Sequence, residues 1–212
     1  METQTPIGTN SPTLPRQRLT YEEFLAWCSE DTWAEWVDGE VQMVSPASTR
    51  HQDLAGFLYV ILRHWVEKHE LGVVLTAPYQ MHLTSPAPRG REPDLLFVSR
   101  AHRDRLLATH LEGPADLVLE IVSPESIARD RGEKFVEYEA AGIAEYWLID
   151  PERRQAEFYQ RGSEGRYRLA LGGAEGTYVS PLLRNLPLPV EWLWQEPLPP
   201  LGEALRDLRL IG

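Results

Sequence analysis

The sequence predicts an α/β (α+β) domain in which a central mixed β-sheet is flanked by helices and accompanied by additional β-hairpins. Two observations lead to this fold class. The apolar patterns follow the order helix, hairpin, helix, strands, helix, strands. The chain also has 212 residues, 42% of them hydrophobic, which is enough for one sizeable core.

The chain opens with signals for a helix and a hairpin. Residues 19–30 predict a short helix, because Thr20 and Glu23 have the spacing of a capping box. Residues 33–44 predict a hairpin around Asp38-Gly39, which strongly favours a type I′ turn. In this register the pairs that share an apolar face are Trp36 with Val41 and Ala34 with Met43. The side chains on the opposite, polar face are Glu35, Glu40 and Gln42.

A long amphipathic helix is predicted from about His51 to His69, ending near Gly72. Its core stripe consists of Leu54, Phe57, Leu58, Ile61, Leu62 and Trp65. Residues 73–83 then predict one or two strands, and residues 85–92, with the sequence SPAPRGRE, predict a loop.

Two apolar strands carry the acidic residues of greatest interest. Residues 93–99 predict a strand that begins with Asp94, and residues 115–123 predict a buried strand with Glu120 in its middle. Between them, residues 100–113 predict a helix or an irregular connection. An ionised carboxylate on an apolar strand costs several kcal/mol unless it is paired, so Glu120 requires a partner.

The remaining elements alternate in the same manner. Residues 126–143 predict a helix that ends at Gly142, where Asp130 and Glu133 form a capping-box pattern. The strands predicted after it are 144–150, 155–161, 166–171 and 177–180. The tail is Pro-rich and ends in a short helix. We interpret residues 1–18 as a flexible tail, 19–185 as the main domain and 186–212 as an extension that packs on the domain or on a partner.

Composition excludes several classes of protein. No apolar run is long enough to span a membrane, and the N-terminal stretch lacks the pattern of a signal peptide. Cys28 is the single cysteine, which excludes a disulfide framework and favours a cytoplasmic protein. The net charge of −11 argues against broad, sequence-independent binding of nucleic acid.

Lysine is rare in this chain. Of 21 basic residues only Lys68 and Lys134 are lysines. Lysine is a compact charge whose pKa moves readily, whereas arginine is a wide fork that stays protonated. A lysine that has been retained near Glu120 therefore indicates a specific role.

Asp94 and Glu120 would converge if their strands were neighbours. Two close carboxylates repel each other, and a divalent cation relieves that repulsion. Mg²⁺ favours one or two carboxylates together with water and phosphate oxygens. Lys134, on the next helix, is placed to approach the same point. Carboxylate, carboxylate, lysine and metal form the minimum set for metal-assisted phosphodiester hydrolysis.

The sequence resembles the Uma-two family. The motifs that carry the resemblance are AEWVDGEVQMVSPASTRHQ, REPDLLFVS and the stretch from Asp116 to Pro151, and the likeness extends from about Leu19 to Leu169. These are small bacterial proteins with a restriction-endonuclease-like fold, similar to the PD-(D/E)xK nucleases. The resemblance implies a DNA endonuclease dependent on Mg²⁺ or Mn²⁺.

The resemblance also implies roles for individual residues. Asp94 and Glu120 match the two acids of the motif, a backbone carbonyl near Ile121 is implied as a further metal ligand, and Glu35 and His51 are implied as site members. The motif expects lysine two residues after the second acid, where this chain has Val122. Lys134 would then be a migrated lysine that reaches the site from the helix.

Several structural alternatives stay open at this point. Glu120 would be an ordinary buried acid if it paired with an arginine, and Asp94 would be a turn cap. Lys134 would form an ordinary helical pair with Asp130. His51 would only begin a helix. The tryptophans interpreted as core or interface, rather than as a base-stacking strip, are Trp33, Trp36, Trp147, Trp192 and Trp194.

Two functions therefore stand beside each other. The first is a metal-dependent nuclease with DNA as substrate, no membrane association and a homodimeric state, since symmetric dimers are the commonest oligomers. The second is a non-catalytic nucleic-acid-binding or regulatory module that keeps the nuclease fold. The acidic net charge and Val122 favour the second function, and the retained acids and Lys134 favour the first.

Overall fold

A computed structural model describes residues 14–15, 17–29 and 32–212. Most of the tail predicted for residues 1–18 lies outside this part of the chain. Within it, the α-helices are α1 (Tyr21–Trp27), α2 (Thr49–Lys68), α3 (Lys134–Ala141) and α4 (Leu201–Asp207). None of these helices combines the length and the apolar character needed to cross a bilayer.

The strands of the first half are β1 (Ala34–Val37), β2 (Glu40–Met43), β3 (Gly72–Thr76), β4 (Gln80–Leu83), β5 (Arg89–Arg91), β6 (Leu95–Ser99) and β7 (His110–Glu112). The strands of the second half are β8 (Leu117–Ile121), β9 (Glu145–Asp150), β10 (Gln155–Arg161), β11 (Tyr167–Gly173), β12 (Thr177–Ser180) and β13 (Leu186–Pro189). Short 3₁₀ turns follow β6 and β13, and a π-helical turn (Arg129–Glu133) precedes α3.

The central sheet has six strands in the order β11-β10-β9-β8-β6-β3. It is mixed, because β8 and β9 run parallel whereas the other neighbours are antiparallel. Strands β6 and β8 pair with Leu95 opposite Leu119, and continuing this register by one residue sets Asp94 opposite Glu120. The predicted mixed sheet, flanked by helices and accompanied by hairpins, is confirmed.

A second sheet of five strands has the order β2-β1-β5-β4-β7. The hairpin register predicted for β1 and β2 is confirmed, with Trp36 opposite Val41 and Ala34 opposite Met43. The capping box of Thr20 and Glu23 at the start of α1 is also confirmed.

The prediction of a loop over residues 85–92 is partly wrong, because β5 lies within it and pairs with both β1 and β4. Gly90 allows this strand to pack closely against Tyr21 and Trp36. A Cβ at this position would lie 2.7 Å from a ring atom of Tyr21 and 3.2 Å from Cβ of Trp36, so only glycine permits the close approach. Strand β7 within residues 100–113 was likewise not predicted.

The two faces of strand β8 serve different cores. Leu117, Leu119 and Ile121 face a core that includes the predicted stripe of α2. Val118 packs in a second core, together with Tyr138 of α3. Since side chains alternate along a strand, Glu120 lies on the α3 face with Val118. The fold thus directs the Glu120 carboxylate towards α3 and away from α2.

Candidate functional site

Lys134 is the partner that Glu120 requires. Its Nζ lies 2.9 Å from Oε1 of Glu120, 2.9 Å from Oε1 of Glu35 and 3.6 Å from Oδ1 of Asp130. The side chain is only 3% exposed. An ammonium group has three donors, so three carboxylates from three elements surround this one cation.

Tyr138 lies one helical turn after Lys134 and contacts the same carboxylate. Its hydroxyl donates a hydrogen bond of 2.9 Å to Oε1 of Glu120. Oε1 therefore has two donors, whereas no described residue donates to Oε2. Because Glu120 lines a cavity, we take Oε2 to be the oxygen available to a bound species.

Glu35 connects Lys134 to a second buried cation. Its Oε2 accepts a hydrogen bond of 2.8 Å from Nη1 of Arg91, which is fully buried. Arg91 in turn forms two hydrogen bonds to Glu137 of α3, at 2.8 and 2.9 Å. These ion pairs connect the six-stranded sheet, the five-stranded sheet and α3, and they hold Lys134 in place.

Glu35 lies on the face of the hairpin opposite Trp36, as its register predicts, but it is only 1% exposed. Strand β5 pairs with the edge of β1 and brings Arg91 next to Glu35, and Lys134 and Arg129 approach it from the helical segment. Burial raises the pKa of Glu35, but Lys134, Arg91 and Arg129 more than offset this effect and lower it to about 2. Glu35 is therefore an ionised structural partner of two cations.

The opposite shift occurs at two other acids. Burial raises the pKa of Glu120 to about 8, and Asp130, Asp94 and Glu35 add to this effect against the attraction of Lys134. Burial and the Glu35 carboxylate raise the pKa of Glu92 to about 7. The site thus contains more carboxylates than its cations can balance, which is the condition that an added cation would relieve.

The pKa of Lys134 also departs from its ordinary value. Burial lowers it, but Glu120, Glu35 and Asp130 outweigh burial and raise the pKa well above 10.5. These three carboxylates therefore favour the charged ammonium form of Lys134.

Asp94 has a different set of partners. Its Oδ2 accepts a hydrogen bond of 2.6 Å from the backbone N–H of Ile121, and its Oδ1 lies 2.8 Å from Nε2 of His51. His51 lies in the first turn of α2, which Ser48 caps. Each carboxylate oxygen has a further lone pair, so both contacts leave Asp94 able to bind another group.

The prediction that Asp130 caps a helix and pairs with Glu133 in a capping box is wrong. Asp130 lies inside the π-helical turn, no side chain caps that turn, and its carboxylate faces Lys134. Asp130 and Lys134 therefore do not form a surface helical pair. They belong to a buried charge cluster that also contains Glu35, Arg91, Glu120 and Glu137.

One cavity of about 540 Å³ unites the predicted residues. The members of the predicted set that line it are Glu35, His51, Asp94, Glu120, Ile121 and Lys134. The sequence reasoning missed Arg91, Glu92, Tyr138 and Glu137. Two signals were available: the charged run before Asp94, and the positions three and four residues after Lys134 on the same helix face.

The donor set fits a hard divalent cation that keeps several waters. Among the described residues, no group of three or more His, Cys, Asp or Glu side chains is arranged to hold a metal ion. Mg²⁺, however, binds through one or two carboxylates and completes its shell with water and phosphate oxygens. Asp94 and Oε2 of Glu120 supply two such carboxylates at the cavity.

Comparisons with known proteins agree with this fold. No curated protein matches the chain. Among solved structures, a crystal structure described as "a putative nuclease belonging to DUF820 from Anabaena variabilis ATCC 29413" is similar, with a TM-score of 0.69 and 15% sequence identity. The match covers 83% of this chain and 97% of the other, and it shows a shared fold.

The family comparison covers most of the sequence. A family model described as "Uma2: Putative restriction endonuclease" matches residues 21–191. This range contains all strands of the six-stranded and five-stranded sheets and every residue of the buried charge cluster. The chain therefore belongs to the Uma2 family, as the resemblance of its motifs predicted.

Proposed function

We propose that this protein is a metal-dependent nuclease that hydrolyses phosphodiester bonds in DNA. One observation carries the proposal: the Lys134 ammonium lies 2.9 Å from both Glu120 and Glu35, in a cavity that Asp94 also lines. The description of the Uma2 family and that of the similar Anabaena protein support the same class of reaction.

Asp94 and Glu120 would hold Mg²⁺ or Mn²⁺, with a backbone carbonyl near Ile121 as a further ligand. When bound, the metal supplies Lewis acidity towards the phosphate and lowers the pKa of its water. His51 orients the Asp94 carboxylate through the 2.8 Å contact, and Glu35 holds Lys134.

Lys134 supplies electrostatic stabilisation. Its raised pKa keeps the ammonium charged, so it favours the negative charge that develops on the phosphoryl oxygens. Cutting both strands of a duplex would need two such sites, and a symmetric homodimer that brings two sites together remains a prediction.

The alternative is a non-catalytic nucleic-acid-binding or regulatory module with the same fold. The surroundings of Lys134 favour this alternative, because the carboxylates of Glu35, Glu120 and Asp130 already face all three donors of the ammonium. Under this alternative the charge cluster would only stabilise the fold, and Val122 would mark the loss of turnover.

Calorimetric titration with Mn²⁺, followed by cleavage assays on plasmid and on single-stranded DNA, tests the proposal. The proteins are the wild type, Asp94→Ala, Glu120→Ala and, as a matched control, Glu203→Ala, which removes an exposed acid on α4. We expect the wild type and the control to bind Mn²⁺ and cut, and both site variants to lose binding and cutting.

The outcomes separate the two functions. Metal binding by the wild type without cutting of any nucleic acid would favour the non-catalytic module. Binding and cutting that persist in both site variants would show that Asp94 and Glu120 are not the ligands.

A further inference from the structure

Trp33 differs from the other tryptophans that were interpreted as core or interface. It is 39% exposed, whereas Trp36 and Trp147 are buried. Trp192 and Trp194 pack against the core around α2. Trp33 also lines the cavity that contains Glu120 and Lys134, and its indole N–H donates to no described residue. A large, flat and partly exposed side chain thus lines the cavity.

The hairpin fixes Trp33 in relation to the catalytic groups. The backbone N–H of Val44 donates to the carbonyl of Trp33 at 3.0 Å, which extends the β1–β2 ladder by one residue. Side chains alternate along a strand, so Trp33 and Glu35 share a face and are separated by roughly 6–7 Å along the backbone. Glu35 contacts Lys134, so one nucleotide is long enough to reach both the indole of Trp33 and the site around Lys134.

The charges around the opening disfavour an intact duplex. Exposed carboxylates at the cavity include Glu125, Glu152 and Glu196. The basic side chains that line the same cavity outside the buried cluster are, within the described residues, Arg50 and Arg129. Duplex binding depends on neutralising many phosphates along the backbone, and two arginines provide little of this.

Both arginines are also partly engaged. Arg50 donates to the carbonyl of Leu193 at 2.6 Å and lies 3.6 Å from Glu196. Nε of Arg129 lies 4.0 Å from Glu35 and from Asp130. Affinity for a nucleic acid must therefore come from contacts other than phosphate neutralisation, and base stacking on an aromatic side chain is such a contact.

We infer that the site takes an unpaired nucleotide, from a single strand, an overhang or an opened duplex, with its base stacked on Trp33 and its phosphate towards Lys134. This inference rests on the proposed nuclease function and names the substrate class of the same site. The cavity of about 540 Å³ is of the size that encloses one small ligand, which agrees with a single nucleotide.

The test compares one labelled oligonucleotide sequence in three forms: single strand, blunt duplex and duplex with a single-stranded overhang. Cleavage with Mn²⁺ and binding by fluorescence anisotropy are measured for the wild type, Trp33→Ala and Trp33→Phe. Leu169→Ala is the matched control, because it removes an exposed apolar side chain on β11 that does not line the cavity. Near-UV circular dichroism confirms that each variant is folded.

We expect the wild type to bind and cut the single strand and the overhang in preference to the blunt duplex. Trp33→Ala should weaken binding of the single strand roughly 5- to 150-fold, the range for the loss of one stacked base, and Trp33→Phe should retain most of the affinity. With Arg50 and Arg129 as the two phosphate contacts, we expect a weak salt dependence of binding. The slope of log K against log salt concentration should be about −1.4 for a single strand.

A preference for the blunt duplex, or equal affinities of Trp33→Ala and Leu169→Ala, would overturn this inference and leave the nuclease function standing. A failure of the wild type to bind or cut any of the three forms would overturn the nuclease function and this inference together.

Discussion

Glu35 shows how a single side chain links the fold to the chemistry of the site. Its two oxygens contact different buried cations, Lys134 at 2.9 Å and Arg91 at 2.8 Å. Taking two cations and a carboxylate out of water is costly, and only close mutual contacts repay that cost. The position of Lys134 therefore depends on Glu35 as much as on Glu120.

Replacing Glu35 with alanine should leave two buried cations without their shared carboxylate. We expect Glu35→Ala to reduce the free energy of unfolding by about 3–5 kcal/mol, the usual cost of breaking a buried ion pair. Glu40→Ala, on the same hairpin, removes an exposed acid whose contact is with exposed Arg18, and it should change stability by less than about 1 kcal/mol. Urea denaturation measures both, and equal effects would contradict the prediction.

At this scale the sequence predicts some residues better than others. Asp94, Glu120 and Lys134 could be identified because each is unusual in its setting: two acids on apolar strands and one of two lysines. The burial of Glu35 could not be predicted, since a polar residue on a two-stranded hairpin normally faces water. Arg91 on β5, whose sequence resembles a loop, lies next to it together with Lys134 and Arg129 from the helical segment.

At the scale of elements, the π-helical turn before α3 sets the direction of the lysine. The sequence predicts a helix over residues 126–143, and the chain is helical from residue 127, but residues 129–133 form a π turn before the α-helical pattern resumes at Lys134. Lys134 and Tyr138 are then one turn apart and both reach Glu120. Such turns lack a reliable sequence signature, and they occur frequently at functional sites.

The hairpin turn of β1 and β2 is the second element on which the site depends. Asp38 and Gly39 have φ values of 51° and 85°, as a type I′ turn requires. A Cβ at Gly39 would lie 3.0 Å from Cβ of Arg18. Its positive φ also lies in the left-handed region, which disfavours any residue with a side chain.

We therefore expect Gly39→Ala to lower the free energy of unfolding by about 1–2 kcal/mol and to reduce the proposed nuclease activity, because the hairpin carries Glu35. Gly56→Ala is the matched control: no heavy atom lies within 4 Å of its added Cβ, and it should stabilise α2 by about 0.5–1 kcal/mol. Thermal unfolding of the two variants should move in opposite directions, and a destabilised Gly56→Ala would argue against this view of the backbone.

At the scale of the whole molecule, the excess of carboxylates makes stability depend on pH. The pKa values of Glu92 and Glu120 are raised to about 7 and about 8. An unfolded chain would release these protons near pH 4.3. Between about pH 4.3 and 8 the folded state binds more protons than the unfolded state, so stability falls as the pH rises.

We expect the free energy of unfolding, measured in urea with a chelator present, to fall between pH 5 and pH 8. Glu92 alone accounts for about 3 kcal/mol of this fall, and Glu92→Gln should flatten the profile by that amount. Mn²⁺ should stabilise the protein more at pH 8 than at pH 6, because metal binding competes with protons for the carboxylates. A profile that rises with pH, or an equal effect of Mn²⁺ at both values, would refute this account.

The C-terminal segment has a consequence for how the boundaries of this protein are chosen. The family match ends at residue 191, yet Leu193, Ala204 and Leu208 belong to the same core as α2. The end of the family match and the end of the segment that packs into this core thus fall at different residues. A recombinant fragment that ends at residue 191 would lack the apolar side chains that cover α2 and would tend to aggregate. The inactivity of such a fragment would say nothing about catalysis.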